Sequence, residues 1–237
     1  MASGIYTAMT GAVAQSQALD VTANNIANAE TTGFRAERVS FAEALAQKPS
    51  MIHAGIAGAA PDSTRGTFRD TANPLDCAIN GEGWFGVQTP QGVKYTRAGD
   101  FKLDDSGRLV TSQGYAVRAQ GGGELSIPPG AAEIHIEGDG SLVADGSSVG
   151  QIEIAQFAPA GLQRAGQNLF TAKAGVKPLS GGEVPEIVSG TLESANFETV
   201  RGVIDLVKIT RVYEALHRMV ETYKQIDERS ARDIGGK

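Results

Sequence analysis

Six residues, Gly81-Glu82-Gly83-Trp84-Phe85-Gly86, have the G-x-G-x-x-G spacing of a dinucleotide cradle. That chemistry needs a strand before the glycines and a helix after them, so that the helix N-terminus meets the pyrophosphate. Val87 to Pro90 read instead as strand and turn, so a β-turn carrying two core aromatics, Trp84 and Phe85, is the better reading. Asp104-Asp105-Ser106-Gly107 invites comparison with a calcium loop, but the EF-hand spacing and its closing Glu are missing, which leaves a hairpin turn. His53, His135 and His217 fall in an expected linker, strand and helix, and no His-x-x-x-His pair exists, so metal ligation has little support. Paired carboxylates of the glycosidase kind are defined in space and cannot be read from one sequence. Cys77 is the single cysteine; neither an intramolecular disulfide nor a Cys-based zinc site can form within one chain. Beside Ala78 and Ile79 it reads as a small buried hydrophobe. No catalytic, cofactor-binding or metal-ligating residue is assigned, and no cofactor or enzymatic activity is expected.

The bulk composition agrees with a packed, non-catalytic chain. Of 237 residues 41% are hydrophobic, enough for a sizeable core, while only 6% are aromatic and 30 are Gly, which favours tight turns and close backbone approach. The formal net charge of -6 and the lack of clustered Lys and Arg argue against a nucleic-acid partner. No apolar run approaches the roughly 20 residues that span a bilayer, so membrane insertion is not expected. Met1 to Gln17 lacks the basic start and apolar core of a secretory signal, which leaves a cytoplasmic chain or one exported by a route that reads no such signal.

The elements that would hold these residues divide by position. Ile5, Met9, Ala12, Ser16, Leu19, Ala23 and Ile26 recur at steps of four and three, the seam of a coiled-coil helix. The seam is small, and Gly4 and Gly11 weaken the helix by about 1 kcal/mol each relative to Ala, so this helix needs a partner. Gly33 is placed to take the positive φ that ends it. Residues 36–74 read as a linker or extended segment, with Ala36 to Ala46 helical or irregular. The middle, 75–190, reads as a mainly antiparallel β domain. Its expected strands are Trp84 to Gln88, Val93 to Arg97, Phe101 to Leu103, Arg108 to Thr111, Tyr115 to Arg118, Glu133 to Glu137, Ser141 to Val143 and Gln151 to Phe157. Residues 191–237 end in a second helix whose seam, Leu206, Ile209, Tyr213, Leu216, Val220, Tyr223 and Ile226, is larger and more apolar. The fold class is therefore α+β, with the helix of 1–35 pairing with the terminal one around the β domain. Two helices cannot cover both of their apolar faces, which predicts a subunit that assembles. Asn24, Asn25 and Asn28 are unusual in a helix interior. They read either as a solvated face near the helix end or as side chains bonding a neighbouring subunit and fixing register.

Four stretches resemble one family. Val21-Thr22-Ala23-Asn24-Asn25-Ile26-Ala27-Asn28 with Thr32-Gly33-Phe34-Arg35 is similar to the N-terminal signature of flagellar rod and hook proteins. Asp76 to Phe85 resembles their central motif, although Cys77 departs from the usual aliphatic residue. Tyr95-Thr96-Arg97-Ala98-Gly99-Asp100-Phe101 with Gly107 to Thr111 resembles the next. Leu192-Glu193-Ser194-Ala195-Asn196-Phe197, leading to Arg211-Val212-Tyr213-Glu214, resembles the closing helix. The short length and the Ile5-Tyr6-Thr7-Ala8-Met9 start most resemble a proximal rod subunit, with distal rod and hook subunits as alternatives. The resemblance implies a structural subunit of the flagellar basal-body rod, which crosses the periplasm and transmits torque. It implies export by the flagellar type III apparatus without a cleaved signal peptide. Its expected partners are other rod subunits and copies of itself. A carbohydrate-binding β module engaging peptidoglycan and a nucleotide-binding enzyme are the readings from other classes.

Overall fold

The computed structural model describes residues 2–45, 52–131, 133–158, 161–166, 168–179 and 185–235. The chain forms α1 (Ala2–Ala27), β1 (Glu37–Leu45), β2 (Ile52–Pro61), β3 (Phe68–Asp70), β4 (Cys77–Asn80), β5 (Trp84–Thr89), β6 (Gly92–Thr96), β7 (Phe101–Leu103), β8 (Leu109–Thr111) and β9 (Ala116–Val117). It continues through β10 (Ile134–Ile136), β11 (Ser141–Ala144), β12 (Ser147–Gln151), β13 (Ile154–Ala155), β14 (Leu162–Arg164), β15 (Phe170–Ala172), β16 (Glu186–Ser189), β17 (Thr191–Glu193) and α2 (Thr199–Gly235). The α+β class with paired terminal helices and antiparallel sheets is as expected.

Two compact units result: Met1–Ala27 with Glu37–Ala60 and Phe197–Lys237, and Asn28–Ala36 with Pro61–Asn196. In the first, α1 and α2 run antiparallel, because Gly4 lies against Tyr223, Gly11 against Leu216 and Gly202 against Ile26. A Cβ on Gly4 would sit 2.9 Å from the Tyr223 ring, and one on Gly11 would sit 3.3 Å from Leu216 Cδ1. The glycines that weaken α1 as an isolated helix thus let the larger seam of α2 approach. Leu206, Ile209, Tyr213, Leu216, Val220 and Tyr223 are all half-buried, one face of α2. On α1 the most buried side chains are Ala8, Ala14, Ala18 and Asn25. That face is turned by about 100°, one residue of helix, from the expected seam. Ile5, Ala12, Leu19 and Ile26 are half-buried at its flank, and Met9 and Ala23 are exposed. Size marked the expected seam, whereas close approach selects alanine.

The stretch 36–74, expected as a linker or extended segment, carries the strands β1, β2 and β3. β1 and β2 pair with each other, and β1 packs beside α1. The expected helical or irregular piece from Ala36 is strand from Glu37 to Leu45; Ala46 lies outside the described residues. Ile52-His53-Ala54-Gly55-Ile56-Ala57-Gly58-Ala59-Ala60 lacks the β-branched, alternating pattern that announces a strand, and partner pairing overrides that weak propensity.

In the second unit, β14-β15-β6-β5-β9-β8-β7 form the main sheet, with β13 also on β5. The expected hairpin after Trp84 is present, pairing Phe85 with Thr96 through Thr89 with Gly92. β10, β11 and β12 make a separate sheet. The core gathers Phe85, Phe101, Leu109, Val117, Leu125, Ile136, Leu142, Ile152 and Ile187. Gln151 to Phe157, expected as one strand, divides: Gln151 ends β12, whereas Ile154 and Ala155 form β13. Glu153 at the break donates its N–H to the Arg118 carbonyl (2.8 Å) and accepts from Gly86 N–H (3.0 Å), so the chain crosses from one sheet to another.

Candidate assembly site

Within the first unit, the helix pair leaves a groove of about 360 Å³ between α1 and α2, lined by Met9, Ala12, Val13, Ser16, Tyr213 and Val220 among others. Tyr6, Met9 and Val13 are exposed on α1, and Val200, Val203, Ile204, Val207, Val212, Met219 and Ile226 on α2. The exposed face of α1 is mainly apolar in its first half, whereas Gln17, Asp20 and Asn24 occupy it further on. Asn25 belongs to this unit too. It is buried, donates Nδ2–H to the Glu37 carbonyl and accepts from the Glu37 N–H through Oδ1, both at 2.9 Å. The amide side chain thus stands in for a strand partner at the start of β1, a role neither sequence reading of the asparagines contained. Asn24 is exposed.

In the second unit the segment after α1 is held by the segment before α2. Thr31 N–H bonds the Asn28 carbonyl at 3.0 Å, starting a turn. Gly33 has φ 63° and donates its N–H to the Glu193 carbonyl at 2.6 Å. A Cβ there would lie 2.3 Å from the Arg97 carbonyl carbon, so no other residue fits without backbone movement. Phe34 is buried beneath the Arg164 guanidinium, 4.7 Å from its ring centroid. Arg164 donates in turn to the Arg35 carbonyl (2.6 Å), and Asn168 to the Thr32 carbonyl (2.8 Å).

Arg35 and Glu193 form the centre of this junction. Their ion pair is 2.8 Å long, and the side chains are 2% and 1% exposed. Arg35 also donates to the Thr64 carbonyl, and Glu193 Oε1 accepts from Gly66 N–H at 3.0 Å. Arg97 stands 3.7 Å from Glu193 Oε2 and donates to the carbonyls of Ile79 (3.1 Å) and Gly81 (2.6 Å). Burial pulls both guanidinium groups below their usual range, Arg97 to about 10, and the nearby Glu193 charge opposes that pull. Asn196 completes the junction: its Oδ1 accepts from Ala36 N–H at 2.7 Å, and its Nδ2 donates to the Thr64 carbonyl at 2.8 Å. The sequence marked Arg35, Glu193, Arg97 and Asn196 as motif members but not as one cluster.

The chemical alternatives meet geometric objections. After Gly83 the chain enters β5, so strand rather than helix follows the glycines. Asp104 closes the expected hairpin turn by accepting from the N–H groups of Ser106 and Arg108, each at 2.9 Å. Gly146-Ser147-Ser148-Val149-Gly150 has the glycine–serine spacing of a nucleophile elbow, but Ser148 lies within β12 opposite Val143. His135 is opposite the same Val143 on β10, two strands from Ser148, or about 9.6 Å by strand spacing. The side chain of His53 lies outside the described residues. Cys77 is wholly buried, which pushes its thiol well above the usual range. Among the described residues no group of three or more His, Cys, Asp and Glu could hold a metal ion, and no helix is long and apolar enough to cross a membrane. A carbohydrate module would present aromatic faces, yet the Trp84 ring packs against Phe170, tilted by 55° with centroids 4.6 Å apart, and Arg97 lies over it at 5.9 Å.

Comparison with known proteins points one way. Residues 78–144 match the family described as flagellar hook protein FlgE/F/G D1 domain, and residues 5–35 match the flagella basal body rod protein family. The chain is similar to the flagellar basal-body rod protein FlgF of Rhizobium meliloti, 30% identical over 240 residues, which span 100% of this chain and 99% of the relative. FlgF of Caulobacter vibrioides is 30% identical over 251 residues, spanning 99% of each chain. The rod protein FlgG of Bacillus subtilis is 33% identical over 256 residues, spanning 95% of this chain and 97% of the relative.

Proposed function

Since the chain belongs to the flagellar basal-body rod protein family and is a FlgF-like structural subunit of the basal body, we propose that it assembles through its helix pair into a helical, torque-transmitting shaft. The observation that carries this reading is the uncovered apolar surface of that pair: Tyr6, Met9 and Val13 on α1, and Val200, Val203, Ile204 and Val207 on α2. Apolar surface of that extent on two packed helices is covered when neighbouring subunits add further helices. Copies of this chain and the other rod subunits are the neighbours: the α2 seam Leu206 to Tyr223, with Ile5, Ala12, Leu19 and Ile26 of α1, holds the pair together, and the exposed apolar residues outside it are where neighbours meet.

A proximal place in the periplasm-spanning rod and delivery by the flagellar type III apparatus without a cleaved signal peptide belong to the same reading. Full-length similarity to FlgF relatives supports the proximal place. Deletion of the gene, followed by swimming assays and electron microscopy of isolated basal bodies, tests it. Non-motile cells with truncated rods, restored by the intact gene, are expected. Normal rods and normal swimming would remove the rod role.

A further inference from the structure

Two uncovered apolar surfaces on the first unit have complementary shapes. One is the concave groove lined by Met9, Ala12, Val13, Ser16, Tyr213 and Val220. The other is convex: Val200, Val203, Ile204 and Val207, all exposed on the first turns of α2. Their i, i+3, i+4, i+7 spacing puts them on one stripe. That stripe lies on the side of α2 away from Leu206 and Ile209, which face α1.

We propose that these surfaces are partners between copies, with the Val200–Val207 stripe of one copy lying in the α1–α2 groove of the next. This rests on the rod-subunit reading above and adds the contact surface to it. An apolar groove takes a helix presenting anchors at this spacing. The groove is continuous with the existing helix interface, since Tyr213 and Val220 belong to the face of α2 that already meets α1. A stripe cannot fill its own groove. Val203 and His217, which borders the groove, are about 21 Å apart along α2 at 1.5 Å per residue. Of the side chains lining the groove only Lys224 carries a full charge, and α1 adds only Asp20. A contact between two different surfaces is heterologous, and repeating it gives a ring or an open helix, whereas a two-fold contact would stop at a dimer.

The test uses Val13→Cys and Val203→Cys in the full chain, in cells that build flagella. Native Cys77 is 0% exposed and gives no background in the folded protein. The two engineered thiols in one chain are too far apart to bridge, because a disulfide needs Cα atoms within about 7 Å. Isolated basal bodies are oxidised mildly and run on non-reducing gels. The double variant should give a ladder of linked chains, each single variant monomer only, and the two single variants coexpressed a dimer and nothing larger. A dimer from either single variant at comparable yield would overturn the proposal. So would monomer alone from the double variant and from the coexpressed pair while the chain is present in the basal bodies. In both cases the rod reading stands. Absence of the unsubstituted chain from basal bodies would instead remove the rod reading itself. As a second measurement, Ile204→Glu should lower incorporation about tenfold or more by placing a charge in the groove, while Ile204→Leu should not. Equal incorporation of the two variants would overturn the contact.

Discussion

The Arg35 guanidinium lies 2.8 Å from the Glu193 carboxylate, and both are almost wholly buried. Arg97 on the other side makes this a pair of cations sharing one anion, with Glu193 Oε2 lacking a hydrogen-bond partner among the described residues. Such a cluster is costly to desolvate and more costly to break, because the removed partner leaves charge stranded in a low dielectric. Glu193→Gln should therefore destabilise the second unit by about 3–5 kcal/mol, more than a surface ion pair would account for. Urea unfolding of the purified chain checks this; a loss under about 1 kcal/mol would mean that the two arginines find other partners.

Gly33 and Gly92 give a controlled comparison. Both have positive φ, 63° and 109°, but a Cβ on Gly33 would meet the Arg97 backbone at 2.3 Å, whereas none would meet anything within 4 Å at Gly92. Gly33→Ala should cost the left-handed backbone penalty of about 1–2 kcal/mol and a clash that only backbone movement relieves. Gly92→Ala should cost the smaller amount. Equal melting temperatures for the two variants would contradict the close approach.

Asn25→Ala should expose the start of β1. The Glu37 N–H and carbonyl each lose a 2.9 Å partner, at about 0.5–1.5 kcal/mol per hydrogen bond. Hydrogen exchange at the Glu37 amide should accelerate in step. Unchanged exchange there would show that Asn25 is dispensable to the strand.

Asp100 supplies a pH dependence. Burial raises its pKa above the usual carboxylate value, with a hydrogen bond from Ser112 opposing. A carboxyl whose folded pKa lies above its unfolded one binds protons better when folded. Its contribution is therefore fully present below the unfolded pKa and is lost as pH rises through the folded value. Asp100→Asn should thus raise stability at pH 7 and remove part of the decline that sets in as pH rises above the unfolded carboxylate pKa. A variant with the parent's pH profile would show that Asp100 ionises as freely folded as unfolded.

Gly11→Ala decides between two effects on α1. The added methyl gains about 1 kcal/mol of helix propensity and meets the end of the Leu216 side chain, Cδ1 at 3.3 Å and Cδ2 at 3.6 Å. Propensity should win, raising helicity measured by circular dichroism. A fall in helicity would mean the helices cannot part by the few tenths of an ångström required.

How much of this was legible varied with the physical signal. α2 was readable because large apolar residues at steps of three and four mark one face, and Leu206 to Tyr223 is that face. The hairpin of β5 and β6 was readable from alternation around Pro90-Gln91-Gly92. α1 was placed one residue off because alanine leaves no trace in a pattern weighted by size. β1 and β2 escaped notice because an Ala- and Gly-rich ribbon lacks alternation, and only its pairing makes it a strand. The cluster of Arg35, Arg97 and Glu193 was invisible as a cluster, since its members come from three distant stretches and ion pairing is a relation in space.

The burial of Cys77 turns the thiol into a gauge of how often the β unit opens. It is 0% exposed, and burial holds it in its unreactive protonated form. A thiol reagent can reach it only through an opening large enough to part the core around Phe85, Phe101 and Ile79. The labelling rate at rising reagent concentration would then plateau at the opening rate of that core. The folded chain can also cross an oxidising compartment without mispairing, while any chain still unfolded there would declare itself by forming disulfides.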